Sequence, residues 1–284
     1  MKLARPDVFH PHIVLAGCPH QLAGDGDDAG LVAALRGRGL HARWLSWHDP
    51  DIADAHLVIL RATSDYSERL DRFLAWTTTV PHLLNPAAVV AWNAERHYLR
   101  DLADRGVPIV PGHAYRPGDP VVLQGVGQAF ISPSVGTGTR RFTDRSAAES
   151  HIAQLHAAGR TVLVQPVESA PHTVLIFVGG RPSHAFVSVE DALHQQEPDF
   201  EVWDVGAAAL AAAAASTGVG VDELLYARVD LVGARVLEVQ LIDPSLGWAY
   251  LDTRTRGLAE REFALSVESA LERFGLGPFS HRPT

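Results

Sequence analysis

The stretch Leu225-Tyr226-Ala227-Arg228-Val229-Asp230-Leu231-Val232-Gly233-Ala234-Arg235-Val236-Leu237-Glu238-Val239-Gln240-Leu241-Ile242-Asp243-Pro244 decides how the chain is read. Two alternating apolar runs flank Gly233-Ala234, the pattern of an antiparallel hairpin. A period of two then places Arg228 and Asp230 on one face of the first strand and Glu238 and Gln240 on one face of the second. Two carboxylates and an amide oxygen are hard donors suited to magnesium held against phosphates. The guanidinium suits a transferring phosphoryl group or the charged intermediate it yields. Taken alone, the pattern fits a solvated hairpin face equally well, so the rest of the chain has to weigh in.

The 284 residues suffice for two or three compact units. With 46% hydrophobic residues and a mean hydropathy of +0.02, the composition is that of an ordinary soluble protein. The longest apolar tract, 205–215, is too short to span a bilayer, and the first residues lack the charged-then-apolar order of a signal peptide. The expectation is a cytoplasmic protein with no membrane partner. Cys18, the single cysteine, has no partner within the chain for a disulfide and reads as a small buried residue at a strand end. A net charge of −9 argues against nucleic acid, which demands a basic stripe. One of the 24 basic residues is lysine, Lys2, leaving 23 arginines, so chemistry that ordinarily uses lysine falls to other groups.

From the N-terminus, short apolar runs at 12–17, 42–46 and 55–61 alternate with helical patterns at 31–40 and 67–78. This indicates parallel βαβ units, with ligands expected in the loops after Gly17 and Arg61. The acidic Gly-rich segment 24–30 is one of those loops. A helix is expected over 92–105, stopped by Gly106. Residues 129–142 read as two strands around the loop Gly136-Thr137-Gly138-Thr139, which lacks the lysine ending of a P-loop. A helix over 145–158, a strand over 161–166, a hairpin around Gly179-Gly180, an alanine-rich helix over 204–217 and a last helix over 256–274 complete the chain. No internal repeat is visible. The 15 histidines form no His-x-x-x-His or His-Glu-x-x-His pair, which disfavours a metal hydrolase.

Several of these segments, in this order, resemble the ATP-grasp ligases, in the branch that includes D-cycloserine-forming ligase. More distant similarity runs to glutathione synthetase and the ribosomal-protein-glutamate ligases. The matching stretches are 25–39, 59–66, Asn85-Pro86 through Trp92-Asn93 to Pro111, Val164-Gln165-Pro166, 179–184, and Arg228-Val229-Asp230 through Pro244. Each is loose alone, and their collinearity carries the resemblance. It implies an α/β and α+β architecture of the ATP-grasp type: a preATP-grasp α/β domain over 1–90, a linker helix and small lid over 91–165, and a C-terminal subdomain with the metal site over 166–284. ATP and Mg2+ are the implied cofactors. The implied partners are a small-molecule carboxylate and an amine, joined through an acylphosphate, in a chain that can pair as a homodimer.

By the same resemblance, Asp230, Glu238 and Gln240 fall on the magnesium ligands and Arg228 on the arginine that stabilises the transferred phosphoryl group. Gln165 and Val167 fall on the hinge that meets adenine, and Glu168 lies within reach of the ribose. Ser64, Asp65, Tyr66 and His184 fall where substrate contacts are expected. Two lysines of the family's nucleotide pocket are absent, with Arg96 and Ser132 in their places. Arginine keeps the charge and serine does not. The competing reading is therefore a catalytically degenerate relative that binds a small molecule or a protein partner.

Overall fold

The computed structural model of the chain describes residues 10–22, 26–123, 128–189 and 192–277. The first two residues of the acidic segment 24–30 lie outside them. Four parallel strands, β1 (His12–Gly17), β2 (His41–Ser46), β3 (Leu57–Ala62) and β4 (Leu83–Leu84), form a sheet of order β2-β1-β3-β4. All six residues of β3 are buried, as expected of a parallel strand covered on both faces. One face packs on α1 (Leu31–Gly37) and on the C-terminal helix. The other packs on Tyr66 and on Phe73 of α2 (Leu70–Thr77).

The helix expected over 92–105 is two helices, α3 (Ala87–Asn93) and α4 (Tyr98–Asp104). Between them the backbone pairs with another segment instead of continuing its own ladder. Arg96 N–H donates to Ser134 O at 2.8 Å, and Gly136 N–H donates to Ala94 O at 3.2 Å. The break anchors the loop that follows the next sheet's second strand.

That sheet, of order β5-β8-β6-β7, comprises β5 (His113–Tyr115), β6 (Ala129–Pro133), β7 (Arg140–Phe142) and β8 (Val162–Pro166). Ala129, Ile131 and Val162 turn one face onto α5 (Arg145–Ala157), which is capped by Asp144 accepting from Ala147 N–H. Phe130 on the opposite face packs with Val232 and Leu237 of the hairpin read first in the sequence.

The third sheet, β11-β10-β9-β12-β13, is antiparallel. Its strands are β9 (His172–Val178), β10 (Arg181–Val189), β11 (Ala192–Gln195), β12 (Tyr226–Val232) and β13 (Arg235–Gln240). Leu175, Phe177, Val229 and Leu231 pack on the alanine-rich α6 (Phe200–Thr217). A Cβ on Gly206 of this helix would stand 2.5 Å from Leu175 Cδ1, so small residues are what let helix and sheet approach. Val174, Ile176 and Val178 face α7 (Thr253–Arg273), whose N-terminus is capped by Asp252. Asn85 ties the first sheet to the third: its Nδ2 donates to Tyr226 O and Leu241 O, and its Oδ1 accepts from Leu225 N–H. Among the described residues no helix is long and apolar enough to cross a membrane.

Candidate active site

The hairpin forms, and its register sets Arg228 opposite Gln240 and Asp230 opposite Glu238. The register shifts between Asp230 and Leu231, so that Leu231 meets Val236 and Leu237 is the extra residue of a bulge. Leu237, Arg228, Asp230, Glu238 and Gln240 line a cavity of about 310 Å³ between the second and third sheets. Thr137, Gly138, Thr139 and Arg141 roof it. Positive φ angles of 87° at Gly136 and 113° at Gly138 let this loop double back over the hairpin.

Both hairpin carboxylates in the cavity are engaged by cations. Arg228 donates to Asp230 through Nε (2.7 Å) and Nη2 (2.8 Å), and His172 Nε2 stands 3.1 Å from the same carboxylate. Burial alone would raise the Asp230 pKa. The Arg228 guanidinium outweighs burial and holds the carboxyl well below the usual carboxylate range. Arg96 donates to Glu238 at 2.6 Å, to Pro133 O and to Thr139 Oγ1, and Thr139 Oγ1 donates to Glu238 at 2.5 Å. Tyr66 lines a narrow space beside Arg96, Glu238 and Gln240, its phenol pushed well up by burial.

The remaining expected residues fall elsewhere. Ser132 and Gln165 are buried on the second sheet, and Gln165 Nε2 donates to Val110 O and, more weakly, to Leu237 O. Val167 packs beside Phe130, and Glu168 pairs with Arg235. Ser64 lines a second cavity of about 180 Å³, while Asp65 accepts from Trp47 Nε1 at 2.9 Å. His184 is buried with Nε2 2.7 Å from Leu246 O, so this nitrogen carries the proton and donates. Burial holds its pKa down against that bond.

Three residues not singled out from the sequence, Asp28, Arg61 and Asp243, line the smaller cavity. Asp243 lines both, and its Oδ2 accepts from Thr63 N–H (2.8 Å) and Thr63 Oγ1 (3.2 Å). Arg61, at the carboxyl end of β3, donates to Asp28 Oδ1 (2.9 Å) and to Pro244 O (2.9 Å). For Arg61 the available signal was its position at the end of a strand of the parallel α/β unit.

Residues 13–85 match the family model of the N-terminal domain of the D-cycloserine synthetase DcsG. The cycloserine biosynthesis protein DcsG of Streptomyces lavendulae is 32% identical over 282 residues, covering 84% of this chain and 94% of that protein. The chain belongs to the DcsG family of ATP-grasp ligases. The crystal structure of D-cycloserine synthetase DcsG superimposes with a TM-score of 0.74 at 29% identity, over 92% of this chain and 99% of that one. D-alanine–D-alanine ligase of Bacillus anthracis, solved as a complex with ATP, matches with a TM-score of 0.68 over 93% and 98% of the two chains. At 12% identity it shows the shared fold. The DcsG-family chain thus has the ATP-grasp fold.

The residues present fit a magnesium nucleotide. Asp230, Glu238 and Gln240 supply hard oxygen donors. Among the described residues no three His, Cys, Asp or Glu side chains form a metal-holding group, so further ligands would have to come from phosphates and water. Arg96 Nη1, Ser132 Oγ and Gln165 Oε1 are buried without a hydrogen-bond partner among the described residues. Unpaired buried polar atoms are costly unless a ligand satisfies them.

Proposed function

We propose that the chain is an ATP- and Mg-dependent ligase that joins a small amino-acid-like carboxylate to an amine or similar nucleophile through an acylphosphate. The observation that carries this reading is the convergence of Asp230, Glu238 and Gln240 with Arg228 in one cavity between two sheets, with Arg96 in the adjoining narrow space that also meets Glu238 and Gln240. Asp230, Glu238 and Gln240 would hold magnesium, which when bound screens the phosphate charge. Arg228 offers a cation where negative charge develops on the transferred phosphoryl group, and the roofing loop excludes water. Arg96 and Arg141 supply cationic charge to the pocket that lacks lysine. The named relatives give no support to the degenerate alternative.

The reading is tested by the melting temperature of the full chain with Mg-ATP and by ADP release. D-alanine, from the name of the ATP-complexed structural relative, is the first acid to try. Mg-ATP is expected to raise the melting temperature in the wild type and not in Glu238→Ala, and D-alanine to stimulate ADP release. No Mg-ATP response would overturn the reading.

A further inference from the structure

The larger cavity holds every residue assigned above to magnesium and phosphoryl transfer, while the smaller one holds Ser64, which the resemblance sets among the substrate contacts. It is lined by Gln21, Asp28, Arg61, Ser64, Asp243 and Ser245, and it meets the larger cavity along Asp243 and Ser245. Two features make it a built site. The Arg61 side chain is 1% exposed, and its Nη1 has no hydrogen-bond partner among the described residues. Asp243 is fixed through one oxygen by Thr63, and its other oxygen, Oδ1, has no hydrogen-bond partner among the described residues.

We propose that the smaller cavity holds the attacking amine and that Asp243 accepts the proton from its nitrogen. The inference rests on the ligase reading. The amine belongs to a small molecule that also carries an oxygen acceptor for Arg61 Nη1. Its neutral nitrogen attacks the carbonyl carbon of the acylphosphate, so that a C–N bond forms, the C–O bond to phosphate breaks and phosphate leaves with the bonding pair. The proton lost by nitrogen passes to Asp243 Oδ1 and then to solvent. Burial pushes the Asp243 carboxyl up to about 6, against the downward pull of the Thr63 bonds and Arg61, and Asp28 adds to the rise. A base tuned toward neutrality suits the task. The other groups facing it are Tyr66 and Tyr226, with Arg228, Asp230 and Glu238 across the larger cavity.

Hydroxylamine is the discriminating probe, because it is largely unprotonated near neutral pH and attacks acylphosphates without help from a base. The full chain is given Mg-ATP and D-alanine, and amide formed by D-alanine's own amine is compared with hydroxamate formed from added hydroxylamine. Asp243→Asn is expected to lower the amide-to-hydroxamate ratio by about 100-fold. Should that variant fail to fold, Asp243→Glu decides, since a carboxylate displaced by one methylene lowers the ratio by roughly 10-fold or more. Equal loss of both products, or no loss, overturns the role of Asp243 and leaves the ligase reading standing. A wild-type chain that shows no Mg-ATP melting shift, or forms neither product, overturns the ligase reading and the inference with it.

Discussion

Arg96 and Glu238, 142 positions apart in the chain, form a buried ion pair of 2.6 Å that joins the break between α3 and α4 to the hairpin of the third sheet. Both side chains are 4% exposed. Arg96, which by the resemblance takes a lysine's place, thus neutralises a carboxylate proposed to hold the metal, and Thr139 of the roofing loop binds the same carboxylate. Loop, helix break and hairpin therefore close on one another through a single glutamate.

Removing one member of such a pair leaves the other charge buried and poorly compensated. Arg96→Ala is expected to cost about 3–5 kcal/mol of folding free energy. Arg96→Lys, which keeps the charge and loses the fork that also reaches Pro133 and Thr139, should cost less. Urea denaturation of the three proteins measures this. An Arg96→Ala chain as stable as wild type would show that the pair contributes nothing net.

Asp243 gives a stability signature separate from catalysis. The folded-state pKa of about 6 lies above the ordinary aspartate value, so the native chain binds the proton more tightly than the unfolded chain does. Stability then falls as pH rises between about 4 and 6, and the full penalty is present above that window. Asp243→Asn removes it. The variant is expected to gain about 1–3 kcal/mol over wild type near neutral pH, a gain that fades as pH falls toward 4. Denaturant titrations across that range test it, and a difference independent of pH would refute the sign argument.

The sequence carries the hairpin because apolar runs flank Gly233-Ala234, but it does not carry the register: without the bulge at Leu237 the two-residue turn would pair Asp230 with Leu237 and set Glu238 and Gln240 on the face opposite Arg228 and Asp230. Strand and helix order was legible from the same kind of apolar pattern. The break at 94–97 was not, since the helical pattern continues through it and the backbone leaves the helix only to bond Ser134 and Gly136, far along the chain. Asp243, Arg61 and Asp28 were hidden likewise: each is an ordinary polar residue at a strand end or in a loop, and only the third dimension packs them against one cavity. His184 falls, by the resemblance, where substrate contacts are expected, and in the fold its ring bonds Leu246 O.

The sharpest test of the proposed nucleotide pocket is Ser132→Lys, which places a lysine where the resemblance implies one. Ser132 is 1% exposed, its hydroxyl lacks a hydrogen-bond partner among the described residues, and it shares a sheet face with Phe130, which lines the larger cavity. In the nucleotide-free chain a lysine there is a buried charge beside Arg96, which already binds the adjoining Pro133 carbonyl, so the melting temperature should fall. Mg-ATP brings phosphate oxygens to pair with the ammonium, a charge-assisted bond contributing about 1.5–3 kcal/mol. The rise in melting temperature caused by Mg-ATP should therefore be larger in Ser132→Lys than in wild type, and calorimetry should show tighter ATP binding. Arg96→Lys, which changes no net charge, is the control. A lower melting temperature that Mg-ATP does not restore would mean that this part of the sheet face is packed against side chains and holds no phosphate.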